Sequence, residues 1–325
     1  MTVAGSMPEA SGVVAPPNSL PSSLPGLGHP GLPASTASFA PGQNRPVPWW
    51  LWANILSVDA PAVALLWAAL FARASGVSCS SPDAAVLFLS VWVIYVSDRL
   101  LDGWTAKNRS ALQNRHIFCE QHRTMLVALL IGAAAAIFWL TLNYLPRPEQ
   151  AAGLKLGSLL ALYMTCIHAA RGRVAKLLPK EITVGVLFAI GTTLPLWSRM
   201  THISWEAFVE WSFFALLCSL NCLCIECWEH RLRGGALKTS AHSFARWGDL
   251  RITQMAAALA IAAFLICLAP AARGAFLFVL LAVLHAAVFL LLLNRYRTKL
   301  SPAALRVLAD AALAIPPLLA LAIRA

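Results

Sequence analysis

The chain has 325 residues, of which 59% are apolar and only 12% charged, with a formal charge of +11 and a mean hydropathy of +0.68. A soluble domain of this length carries about 25% charged residues, so the chain lacks the polar surface to cover itself in water. That excludes a cytosolic enzyme, a secreted domain and a nucleic-acid binder, despite the basic balance. Nor do the eight cysteines form a disulfide framework. Cys166, Cys218, Cys222, Cys224 and Cys267 fall inside apolar runs, where a thiol acts as a small hydrophobe.

Residues 1–48 stand apart. Ten of the twenty prolines lie there among Ser, Gly and Ala, and no apolar run is long enough for a signal-peptide h-region. Such a segment buries too little surface to offset its chain entropy and is expected to be disordered. Residues 49–325 are expected to form one transmembrane helical domain, an all-α integral membrane protein.

A bilayer core of about 30 Å needs roughly 20 apolar residues per helix. Nine runs approach this: 51–72, 84–101, 124–144, 151–170, 182–198, 207–227, 252–270, 274–294 and 303–323. The connections after runs two, four, six and eight hold eighteen Lys and Arg residues, against four after runs one, three, five and seven (Arg73, Arg147, Arg199 and Arg273). By the positive-inside rule the richer set is cytoplasmic. The expectation is a nine-helix bundle in the inner (cytoplasmic) membrane with its N-terminus inside, the surplus cations being available to anionic ligands and lipid headgroups.

Ionisable residues at membrane depth are costly and usually functional. Asp98 and Asp102 close run two with i, i+4 spacing, which stacks both carboxylates on one helical face. Asp98 follows fourteen residues from position 84, about 21 Å of helix and still near the inner edge of the core. Glu226 and Glu229 close run six, preceded by Asn221. Asp59 lies in run one, His168 ends run four, Glu181 opens run five and Asp310 lies in run nine. All eight ionisable groups fall in the cytoplasmic half of this topology, which suggests one polar pocket opening to that face. Two carboxylate pairs on facing helices suit Mg²⁺, which takes oxygen ligands and bridges carboxylates to substrate phosphates. Arg99, Arg115, Arg171, Lys176, Lys180, Arg231 and Lys238 would neutralise a diphosphate. The alternative is that acids at helix ends are interfacial charges paired with neighbouring arginines.

Weaker features read as packing or surface. His116, Cys119 and His122 form a surface cluster, and Cys222, Cys224 and Cys227 pack between helices. His285, in the middle of an apolar run, is expected to hydrogen-bond a neighbouring helix. Trp49, Trp50 and Trp52 read as an interfacial aromatic belt.

With these residues in place, the chain from 49 to 325 resembles the UbiA superfamily of membrane prenyltransferases. That family has nine transmembrane helices with acidic motifs at the cytoplasmic ends of helices two and six. The first family motif reads approximately N-D-x-x-D-x-x-x-D; Asp98-Arg99-Leu100-Leu101-Asp102 matches its second half, while Ile94 and Tyr95 occupy the leading Asn and Asp positions. Asn221 and Glu229 match the ends of N-x-x-x-D-x-x-x-D, Ile225 takes the middle acid position and Glu226 sits one place late, with Gly234, Gly235, Lys238 and Thr239 following in keeping. Lys180 to Leu187 is similar to the family's entry to helix five, and Leu308 to Ala311 to a pattern in helix nine.

The resemblance implies that Asp98, Asp102, Glu226 and Glu229, with Asn221, hold Mg²⁺ on a prenyl diphosphate, and that Arg99, Arg115, Lys176 and Lys180 contact its phosphates. An allylic carbocation would then be captured by an aromatic or other lipophilic acceptor, whose proton Asp59 or His168 could take. A separate echo, Asp102-Gly103-Trp104-Thr105-Ala106-Lys107, matches the opening of the CDP-alcohol phosphotransferase motif. His116 and Thr124 stand where that motif needs Gly and Asp, and nine spans exceed its usual architecture.

Overall fold

In the computed structural model, α-helices account for nearly all of the described residues, which are 48–105, 114–169, 179–232, 243–270 and 272–323. For 102–105, 114–117, 167–169, 230–232 and 243–250 the description is of the backbone alone. Residues 1–47, and with them nearly all of the tail expected to be disordered, lie outside the described residues, as do Arg171 and Lys176. In chain order the helices are α1 Trp52–Ile55, α2 Asp59–Ser75, α3 Ser81–Thr105, α4 Asn114–Gln121, α5 Arg123–Tyr144, α6 Arg147–Ala169, α7 Lys180–Trp197, α8 Trp205–Leu232, α9 Ser243–Cys267, α10 Gly274–Tyr296 and α11 Pro302–Ala322. Among the described residues there is no β-strand.

Five of these helices (α3, α5, α8, α10 and α11) contain stretches long and apolar enough to cross a bilayer, and α1 with α2 adds a sixth candidate if the bent pair counts as one span. Such helices are consistent with a multi-pass membrane protein. Each of the nine apolar runs falls on helix, but run one is not continuous. It breaks between Ile55 and Asp59 with an 80° bend, where Ser57 takes a left-handed φ of 60°. A break inside an apolar run frees carbonyls that must find donors. Arg99 Nη1 donates to the carbonyls of Asn54 and Ile55, and Trp92 Nε1 to that of Leu56 at 3.0 Å. The Asn54 amide donates across the bend to Asp59 Oδ2 at 2.7 Å. Trp49 and Trp52 are exposed beside this bend, as an aromatic belt would be.

The core gathers α2, α7, α8, α9, α10 and α11. At its centre Trp67 stacks on Phe214 with ring centroids 4.4 Å apart, and Phe71 meets Phe214 edge-on. Helix α7 lies against α8 at Gly185, where a Cβ would fall 2.5 Å from the Ser219 amide nitrogen. Close approach of this kind is what small residues allow between apolar helices, which have no hydrophobic drive to associate inside lipid. A polar chain also ties three helices together: Trp228 Nε1 of α8 donates to Asn294 Oδ1 of α10, and Asn294 Nδ2 donates to Thr253 Oγ1 of α9, each at 3.0 Å.

At the end of the bundle away from Asp98, Arg199 bridges Asp83 of α3 (2.6 Å) and Glu149 of α6 (3.1 Å). Arg73 there donates to the Ala320 and Leu321 carbonyls, covering the C-terminus of α11. Helices α5 and α6 turn much of their apolar surface outward, with Ile131, Phe138, Leu154 and Leu162 exposed. His285 departs from expectation: its Nδ1 donates to the Leu281 carbonyl one turn back on its own helix, at 2.6 Å. An intrahelical carbonyl is always within reach of a side chain four residues on, so no partner helix is needed.

Candidate functional site

Five helices bring polar groups to one end of an otherwise apolar core. The cleft there is lined by Ala60 and Val63 of α2, Tyr95 of α3, Val184, Gly185 and Phe188 of α7, Cys218, Asn221 and Cys222 of α8, and Asp310 and Leu313 of α11. It is half open, and its cavity volume is only ≈ 30 Å³, room for roughly two water molecules.

The charged framework around the cleft comes from opposite sides of the bundle. Asp310 lies within hydrogen-bonding reach of both Asp59 and Asn221. One turn earlier on α11, Arg306 forms an ion pair with Glu229 of α8 and also faces Asp310 and Asp59. Arg99, 5% exposed, faces Asp59 and Asp310 while its Nη1 holds the carbonyls of the bend. Asp59 sits in the first turn of α2, where its Oδ1 accepts from the Ala60 amide; a carboxylate there also meets the favourable end of the helix dipole. Asn221 is 6% exposed, and its Oδ1 is fully buried without a hydrogen-bond partner. Nearby, Asp98 and Glu181 face Tyr163 of α6, whose hydroxyl is also buried and unpartnered.

The sequence-derived candidates are distributed as follows. Asp98 and Asp102 share α3, four residues apart on a continuous helix, with Asp102 described by its backbone alone. Glu226 and Glu229 lie on α8, which runs unbroken past both. Glu229 is ion-paired with Arg306 of α11. Asn221 turns toward Asp310. Lys180 is exposed at the first residue of α7, and Arg99 is turned inward. Arg115 and His168 are described by backbone alone, in α4 and α6, and Lys176 lies outside the described residues. Among the described residues, no three His, Cys, Asp or Glu side chains gather as a metal-ligand set; the Asp102 side chain stands outside that statement.

Sequence reasoning missed Arg306, which was counted only as a loop cation, and the roles of Tyr95 and Tyr163. Arg306 was findable: it stands four residues before Asp310 in an apolar helix, the spacing that puts two side chains on one face. No protein-family model, curated protein or solved structure matches the chain.

Proposed function

We propose that the chain is a Mg²⁺-dependent membrane prenyltransferase of the UbiA type. It would cross the inner membrane nine times from a cytoplasmic N-terminus and move an isoprenoid chain from a prenyl diphosphate to an aromatic or other lipophilic acceptor. The observation that carries this reading is the convergence of Asp59, Asn221, Glu229, Arg306 and Asp310 at one end of an apolar core. Polar groups at that depth are retained where they bind ions or polar substrates. Asp98, Asp102 and Glu226 would hold Mg²⁺, which when bound neutralises the departing diphosphate. Lys180, with Arg115 and Lys176, would meet the phosphate oxygens. In the same reading the pair to Arg306 fixes Glu229 in orientation, the apolar walls exclude water from the reacting centre, and Asp59, beside Asp310, takes the acceptor proton.

The test is diphosphate release from geranylgeranyl diphosphate by detergent-purified protein with Mg²⁺. Asp98→Asn and Asp102→Asn are each expected to lower the rate roughly 100-fold or more, the scale seen when a charge-stabilising group is removed. Full activity in either variant refutes the assignment.

A second reading is favoured by the engagement of Glu229 with Arg306 and by Tyr95 standing where the family motif has an acid. Here the bundle is catalytically altered and binds or transports a lipid or quinone-like ligand. It predicts that Mg²⁺ with a prenyl diphosphate leaves the Tm unchanged, since a ligand specific for the folded form must raise it.

A further inference from the structure

The segment that precedes α2 is held under strain. At the 80° bend Ser57 has a left-handed φ of 60°, which is costly for any residue with a Cβ. Ser57 is also 1% exposed, and its Oγ has no hydrogen-bond partner, a second cost in the same residue. Glycine at this position would remove both. Strain of this kind persists only where the surroundings over-determine it, and it gathers at segments that switch.

Here the surroundings are donors from other parts of the chain. Arg99 Nη1 holds the carbonyls of Asn54 and Ile55, Trp92 Nε1 holds that of Leu56, and Asn54 Nδ2 reaches Asp59. Upstream, the 3₁₀ turn Trp49–Leu51 meets α11, while Trp52 lies edge-on to Phe118 of α4 with ring centroids 6.2 Å apart. Residues 49–56 therefore form a short strap from α11 to α4, which buries Leu51, Asn54 and Ile55. Beneath it lie two members of the charged framework. Arg99, 5% exposed, is occupied by strap carbonyls, and Asp59 by a strap amide. A guanidinium bonds an anionic oxygen more strongly than a neutral carbonyl, so the strap withholds Arg99 from its better partners.

The geometry points to a strap, residues 49–56, that swings as one unit about Ser57, is latched by Arg99 and Trp92, and on release opens Arg99 and Asp59 to a polar ligand. This goes beyond the transfer reading and needs neither the metal nor the diphosphate. It would serve an enzyme and a binding protein alike.

The experiment uses the full chain in detergent without metal or substrate, so its outcome is independent of the transfer assay. Single cysteines, in a background lacking the native ones, react with a water-soluble maleimide: Leu51→Cys on the strap, Ser57→Cys at the hinge and Ala60→Cys beneath it. Native Cys224, fully buried on α8 and retained alone, reports opening of the whole bundle. Labelling at a buried site follows the fraction of molecules open there. Leu51→Cys and Ser57→Cys should label at similar rates. Arg99→Gln should speed all three sites about 10- to 100-fold and Trp92→Phe about 5-fold, with Cys224 unchanged. Ser57→Gly should slow Leu51→Cys about 5-fold by relieving the latched state. Labelling of Leu51→Cys that outpaces Ser57→Cys and ignores Arg99→Gln is fraying from the N-terminus and overturns the inference. Where Arg99→Gln also exposes Cys224, Trp92→Phe decides, and its failure to speed the strap sites selectively overturns it. An Ala60→Cys rate untouched by release, or a Leu51→Cys rate untouched by Ser57→Gly, does so too.

Discussion

At the scale of single residues, the interior is organised by backbone groups that lost their ordinary partners. Pro317 lies inside α11 and has no N–H to give the carbonyl four residues back, at Leu313. Trp67, fully buried on α2, supplies the missing donor: its Nε1 meets the Leu313 oxygen at 2.9 Å. An indole in an apolar core therefore does two tasks, packing on Phe214 and satisfying a carbonyl that lipid could not. Trp67→Phe should keep most of the packing and orphan the carbonyl, costing about 2 kcal/mol of stability. Pro317→Ala in the Trp67→Phe background should recover about 1 kcal/mol, because the new N–H can serve the Leu313 oxygen. Thermal unfolding of the detergent-solubilised variants measures both. If the double variant loses as much as the two single losses added together, the indole and the proline are not linked through that carbonyl.

At the scale of helices, contact depends on where side chains are absent. Gly185 leaves no room for a Cβ against the Ser219 backbone, so Gly185→Ala should part α7 from α8 at the wall of the cleft. A loss of about 1–3 kcal/mol is expected, the usual range for overpacking, whereas Gly157→Ala on α6, where a Cβ meets open space, should be neutral or slightly stabilising. Comparable Tm values for the two variants would count against a tight α7–α8 seam. These helices were legible in the sequence because a long apolar run has one physical solution in lipid. The bend before Asp59 was not legible, since Leu56-Ser57-Val58 carries neither Pro nor Gly; what holds it is Arg99, more than forty residues away. Helix α4 escaped notice because Asn114–Gln121 is too polar and too short to register as an apolar run. In the candidate site, the acids were found by their misplacement in apolar segments, but their partners were not. Sequence spacing gives which residues share a helix face; the pairing of Glu229 with Arg306 and of Asp310 with Asn221 belongs to the packing of α8 against α11.

At the scale of the whole molecule, the two ends of the bundle handle charge differently. Of the four cations in the poorer set of connections, Arg73 and Arg199 are engaged with the protein itself, on the end of α11 and on Asp83 and Glu149. In the richer set Arg297 and Arg306 are likewise engaged, with Asn294 and with Glu229, and the positive-inside rule, applied to eighteen cations against four, would orient the acidic end toward the cytoplasm. The orientation is testable with two exposed threonines in connecting segments, Thr201 between α7 and α8 and Thr298 between α10 and α11. In intact cells, Thr201→Cys in a background lacking the native cysteines should react with a membrane-impermeant maleimide, and Thr298→Cys should react only after permeabilisation. The pair also interrogates α9, whose apolar stretch Arg251–Cys267 is about 25 Å long, short of a core of about 30 Å. Three crossings separate the two positions if α9 spans and two if it does not, so labelling of both from the same side removes α9 from the membrane. Labelling with the opposite sidedness inverts the topology, and puts the acidic end on the face away from a cytosolic diphosphate donor.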